Sequence, residues 1–124
     1  MLSLARGWTM DVDRGPDWLF VRLHGPDDGG DGSELADQLW TVMQQSFTHR
    51  LVLELDDLTI LRSAVIGQLV MLQKRVQTHG GMLRLCGLSK ENQEAIHACR
   101  LDRCFPTFQS RADAVMGAAA VKPR

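Results

Sequence analysis

Ser63 stands where a single hydroxyl could carry switch chemistry. It lies between a short apolar run, residues 51–55, and a longer segment with apolar residues at helical spacing: Val65, Ile66, Leu69, Val70, Leu72 and Val76. The first run has the length and composition of a strand buried on both faces. The second presents one apolar helix face. A serine at that boundary is a natural N-cap, because its hydroxyl can accept from an unpaired backbone N–H of the first turn. The same place is the positive end of the helix dipole, which favours an added phosphate.

Other reactive groups are scattered. The loop at residues 25–32 reads Gly-Pro-Asp-Asp-Gly-Gly-Asp-Gly, and Asp27, Asp31 and Gly32 fall on positions one, five and six of an EF-hand-like loop. Its third position is Gly29 and its twelfth is Gln38, so the bidentate glutamate is missing. The loop is therefore expected to be a solvated turn, with Asp31 or Ser33 capping the next helix, and no metal site. His24, His49, His79 and His97 show no ligand spacing with one another or with a cysteine. No G-x-S-x-G surrounds Ser63, and neither a P-loop nor a dinucleotide fingerprint occurs. No catalytic residue and no cofactor are expected. A small enzyme with an unrecognised site is kept as a remote alternative. The three cysteines, Cys86, Cys99 and Cys104, form no CxxC pair, which points to a reducing cytoplasm. They are expected as small buried hydrophobes, with redox sensing at Cys99 and Cys104 as the alternative.

The bulk properties limit the partners. With a net charge of -1, the chain has no electrostatic drive toward nucleic acid or a membrane surface. No apolar run is long enough to span a bilayer and no signal-peptide layout opens the sequence, so no direct membrane insertion is expected.

The elements that must position Ser63 follow from periodicity and turn residues. Strands are expected at residues 8–12, with Trp8, Met10 and Val12 inward, and at 18–23, joined by the turn 13–17 as an antiparallel hairpin. A helix is expected over 34–46, with Leu35, Leu39, Val42 and Met43 inward and Trp40 at the margin. After the helix that begins near Ser63 and is closed by Gly80-Gly81 come a strand at 82–86 and a helix at 90–99 opened by Ser89. A strand at 106–108 follows, on a sheet edge because of Pro106, and then a last helix opened by Ser110-Arg111-Ala112-Asp113. Alternating strands and helices imply parallel pairing. The expectation is one α/β domain over residues 1–124, with its core at about 8–116 and loose tails at 1–6 and 122–124. It would have a mixed, mostly parallel sheet of about five strands and about four helices. The outer face of the second helix would carry Ala64, Gly67, Gln68, Met71, Lys74, Arg75 and Thr78. Small residues near its start would let a partner backbone approach. Met71 is either an adaptable contact or marginal core.

The segment Ile60-Leu61-Arg62-Ser63-Ala64-Val65-Ile66-Gly67 resembles the signature of the STAS domain, the family of the bacterial anti-sigma factor antagonists. Ser63 falls on that family's phosphorylated serine, and Ile66 and Gly67 also fit. Arg62, Ala64 and Val65 depart from its Asp, second hydroxyl residue and first Gly. The resemblance continues through Gly80-Gly81, Gly87-Leu88-Ser89, Leu101-Asp102, Phe105-Pro106 and Ser110, and implies the same strand and helix order. It implies a non-catalytic regulatory domain in signal transduction and transcription regulation. Such a domain binds an anti-sigma factor with serine kinase activity, or another STAS-binding regulator, and is released by phosphorylation at Ser63. Asp28, with Asp27 one residue away, matches an acid the family carries near that serine. The partner-binding residues so implied are Asp28, Arg62, Ala64, Gly67, Gln68, Met71 and Arg75. The alternative is a non-phosphorylated STAS scaffold or accessory subunit of a signalling complex or lipid-transport assembly, motivated by Arg62-Ser63-Ala64-Val65.

Overall fold

The computed structural model describes residues 2–3, 7–25 and 32–117. Ten elements follow in order: β1 (Leu2–Ser3), β2 (Thr9–Arg14), β3 (Leu19–His24), α1 (Leu35–Gln45), β4 (Arg50–Glu54), α2 (Ser63–Thr78), β5 (Met82–Cys86), α3 (Lys90–Ala98), β6 (Thr107–Phe108) and α4 (Arg111–Met116). The strands form one sheet in chain order. β1, β2 and β3 pair antiparallel, and β3 through β6 pair parallel. The expected α/β domain with a mixed, mostly parallel sheet and four helices is thus present. The sheet has six strands, because Leu2 and Ser3 pair with Met10 and Thr9 in a segment read as a loose tail. Backbone groups on a free sheet edge recruit any extended neighbour, whatever its composition.

Strand alternation sorts the side chains to two faces. Leu19, Val21 and Leu23 of β3, Leu51 and Leu53 of β4, and Leu83 and Leu85 of β5 pack with α1, α2 and Ile96 of α3 in the main core. The intervening Phe20, Val52 and Cys86 form a smaller cluster with Trp18, Phe108 and Ala114 of α4. The central strand is buried on both faces, as its sequence implied. The α1 stripe is also as expected, with Ala36 added. Val12 is 36% exposed, since the helical layer does not cover it, and Asp13 and Arg14 extend β2 through what read as a turn.

Glu54 is only 3% exposed inside this apolar strand. Arg22 donates to its Oε1 at 2.9 Å, and Arg111 donates to Oε2 at 2.6 and 3.0 Å. Arg111 also reaches Asp13 at 2.8 Å and lies 4.3 Å over the Phe20 ring. Two arginines and their hydrogen bonds offset the desolvation of one buried carboxylate. The network fastens α4 to the face of the sheet opposite α1 and α2.

The cysteines divide. Cys86 is buried, and desolvation, aided by Glu54 and Asp56, pushes its thiol up to about 12, so it stays protonated at neutral pH. Cys99 and Cys104 are exposed, contrary to the expectation of burial. The reason is that α3 ends at Ala98. Arg100 then takes a left-handed conformation at φ 59°, and the chain turns outward with both thiols on the surface.

Beside this turn, His97 Nδ1 lies 2.6 Å from Asp102 Oδ2. The hydrogen bond and the charge of Asp102 raise the imidazole above its ordinary value of 6.5. A raised folded value means that the pair stabilises fully below 6.5 and that this is lost as pH climbs through the folded value. Asp102→Asn is therefore expected to lower Tm slightly at about pH 6 and to leave it unchanged at about pH 9. Thermal melts of both proteins across that range check it.

Candidate phosphorylation and docking site

The β4–α2 connection, residues 55–62, carries Ser63 to the surface. Two contacts fix it. His24 at the end of β3 places Nδ1 2.9 Å from Asp57 and Nε2 2.8 Å from Asp11, tying the start of the connection to the sheet. At the other end Asn92, 3% exposed, acts as a clamp. Its Oδ1 accepts from the Leu61 N–H at 2.9 Å and its Nδ2 donates to the Leu58 carbonyl at 3.1 Å. Asn92 is itself set by the first turn of α3, where Ser89 Oγ accepts from the Asn92 N–H at 3.1 Å. Leu58 and Leu61 are buried anchors, and Ile60 between them is 51% exposed.

α2 begins at Ser63, and the N-cap is Arg62, with extended backbone at φ -77°, ψ 156° and no side-chain cap bond. This corrects the reading of Ser63 as the cap by one position. The Arg62 carbonyl accepts from the Ile66 N–H at 2.9 Å, so the first intrahelical bond closes on Arg62. Ser63 is the first helical residue, and its side chain is exposed. No acidic residue of α2 itself stands in its first turn. A similar correction applies to α1. Its N-cap is Glu34, without a side-chain cap bond, in place of Asp31 or Ser33.

Ser63, Arg62, Ala64, Gly67 and Met71 are exposed together along α2, Met71 at 54%. The core takes Val65, Ile66, Leu69, Leu72, Gln73 and Val76 instead, so Met71 is not marginal core. Gln68 and Arg75 are partly turned to α1. Gln68 Oε1 accepts from the Ala36 N–H at 3.0 Å, and Arg75 pairs with Asp37 at 3.2 Å and lies 5.7 Å over the Trp40 ring. They brace the exposed face of α2 as well as border it. Asp27, Asp28 and Asp31 of the EF-hand-like loop lie outside the described residues.

Gly67 stands on this exposed face. It sits mid-helix, where glycine costs about 1 kcal/mol relative to alanine. A Cβ built there meets nothing within 4 Å. Packing within the described residues therefore gives no reason for a glycine at this position.

Two features of the site had no clear sequence signal. Asn92 looks like any polar residue in the first turn of a helix, and its partners are 31 and 34 residues away. His24 stands one residue before a glycine loop, and nothing local pairs it with Asp57. Ile60 did have a signal, an apolar residue in a polar connection.

Comparison with known proteins places this geometry. The STAS domain profile matches residues 9–114. Among solved structures, the chain is similar to an anti-sigma factor antagonist from Mycobacterium paratuberculosis, with 22% identity over 94% of this chain and 97% of that one and a TM-score of 0.74. It is similar to a putative anti-sigma factor antagonist from Thermotoga maritima, with 14% identity over 87% and 92% and a TM-score of 0.74. It is also similar to unphosphorylated SpoIIAA, an anti-sigma factor antagonist, with 12% identity over 93% and 100% and a TM-score of 0.70. The profile match over most of its length, on a sheet and helix order shared with these structures, means that this chain belongs to the STAS domain family.

Proposed function

We propose that this chain is a non-catalytic regulatory domain of the anti-sigma factor antagonist kind. It acts in the cytoplasm and binds an anti-sigma factor with serine kinase activity through the exposed face of α2. Phosphorylation at Ser63 ends the binding. The observation that carries this reading is an exposed hydroxyl on the first residue of α2, beside a face on which the fold itself does not ask for Gly67. A phosphate adds roughly -1.5 to -2 charges at that helix start. The unpaired N–H groups of the first turn accommodate it, so the domain stays folded. A partner packed over Ala64, Gly67 and Met71 meets new charge and loses desolvated contact, so the cost falls on the interface.

The test is incubation with the cognate anti-sigma kinase and ATP. Intact mass is expected to rise by one phosphate, and not in Ser63→Ala. An active cognate kinase that leaves the mass unchanged removes the switch. In the same assay Gly67→Gln is expected to melt no lower than the wild type and to bind the partner at least tenfold more weakly, a loss of about 1.4 kcal/mol or more. Unchanged affinity would move the interface off this helix. The presence of Arg62 directly before Ser63 favours a second reading, a scaffold or accessory subunit that is never phosphorylated. Partner binding insensitive to ATP and to Ser63→Glu would support that one.

A further inference from the structure

Nothing local in the sequence pairs His49 with His79, yet the fold brings them together on the surface. His49 leads into β4 and His79 caps the end of α2, and both are exposed. Their ring centroids are 6.0 Å apart. Trp40 of α1 lies against both. Its ring is parallel to that of His49 within 4° at 6.0 Å and stands 4.7 Å from that of His79. The backbones that carry the two imidazoles are fixed. The His49 carbonyl accepts from the Met82 N–H at 2.9 Å, and the Gly81 N–H closes α2 on the Val76 carbonyl at 2.9 Å. Helix capping and strand register therefore hold the pair, which is the support a ligand site needs.

The nitrogens are in a state suited to ligation. His79 Nδ1 stands 2.9 Å from the Arg75 carbonyl, which can only accept, so Nδ1 carries the hydrogen and Nε2 the lone pair. A ring N–H given to a backbone carbonyl is the common arrangement behind a metal-ligating histidine, because it fixes the tautomer and the ring. The His49 imidazole makes no hydrogen bond or ion pair with another described residue. Arg75 lies 5.7 Å over the Trp40 ring, but Asp37 at 3.2 Å offsets its charge. Two imidazoles on one ion at about 2.0–2.1 Å bring their centroids to about 5 Å. A turn of the exposed His49 ring closes the difference.

We propose that His49 and His79 form an open two-histidine site for a divalent ion of the nickel, copper or zinc class. Imidazole nitrogen suits those ions, whereas magnesium and calcium seek oxygen. No group of three or more possible ligands stands together among the described residues, so water fills the other positions. The bound ion ties the lead into β4 to the end of α2. The site is at the opposite end of α2 from Ser63 and stands independently of the switch.

The test is titration of the full chain with Ni²⁺, carrying Cys99→Ser and Cys104→Ser so that the exposed thiols do not compete. Calorimetry is expected to show one ion per chain, with Trp40 emission quenched in parallel. Tm is expected to rise with Ni²⁺ or Zn²⁺ and not with Mg²⁺, since the pair is assembled only in the folded chain. His49→Gln and His79→Gln are each expected to weaken binding at least about tenfold, the least that loss even of an outer-shell partner costs. His97→Gln is expected to leave it unchanged. The absence of saturable binding would overturn the site, as would full affinity in either pair variant. Quenching that survives Trp40→Phe would place the ion elsewhere, and one ion per two chains would draw the ligands from separate copies. Either result also ends the proposal.

Discussion

Asn92→Ala is expected to lower the unfolding free energy by about 2–4 kcal/mol, far more than its small size and polar character suggest. The side chain satisfies two buried backbone groups of a connection that has no regular structure, the Leu61 N–H and the Leu58 carbonyl. Alanine leaves both without a partner in a place water does not reach, and each costs about 1–3 kcal/mol. The β4–α2 connection then loosens while its apolar anchors, Leu58 and Leu61, stay in the core. The effect reaches Ser63 without touching it. If Ser63 is the proposed switch, a connection that samples several conformations presents the start of α2 to a partner less often, so partner affinity and the rate of Ser63 phosphorylation should both fall. Urea denaturation measures the stability term, and amide exchange at Leu61, expected to accelerate strongly, locates it. A loss below about 1 kcal/mol, with Leu61 still protected, would mean that the clamp is dispensable.

Gly81→Ala is expected to cost about 3 kcal/mol, whereas Gly80→Ala should cost about 1. Both glycines close α2, in a pattern where the Gly80 N–H donates to the Gln77 carbonyl at 3.0 Å and the Gly81 N–H to the Val76 carbonyl at 2.9 Å. Gly80 has φ 75° and open space around it, so a side chain there meets only the modest penalty of the left-handed region. Gly81 is different. A Cβ would overlap the carbonyl oxygen of His49, a backbone atom that accepts from the Met82 N–H at 2.9 Å. Neither side can yield without shifting the parallel register of β4 and β5. That register sets Arg50 against Met82 and continues through Leu51 against Leu83. Thermal or chemical unfolding of the two single variants distinguishes them, and equal costs would refute the distinction.

These two sites mark the limit of what local pattern reveals. The Gly80-Gly81 pair is a helix stop on sight, but which of the two is indispensable depends on His49, more than thirty residues earlier. Cys99 looked like the last apolar rung of α3 because 3.6-residue spacing continued through it, yet the helix ends at Ala98 and the thiol faces water. Glu54 sat unremarked in an apolar strand, since only the approach of Arg22 and Arg111 from other elements makes its burial tolerable. Ser63 was placed one residue too far toward the cap, because the closing bond depends on the backbone angles of Arg62.

The sequence by itself determined the order of strands and helices from β2 onward, the buried central strand, the apolar faces of α1 and α2, and the helix starts at Ser89 and Ser110, whose hydroxyls accept from Asn92 and Asp113 as expected. Each is written in neighbouring residues, because hydrophobic periodicity and helix capping act over one or two turns. Only the tertiary structure decided how Ser63 is held out to solvent, which α2 residues remain open once Gln68 and Arg75 are engaged by α1, and that Phe47 is left exposed at the end of α1. Those outcomes rest on hydrogen bonds, ion pairs and excluded volume between residues far apart in the chain, and such contacts exist only after the backbone has brought their partners together.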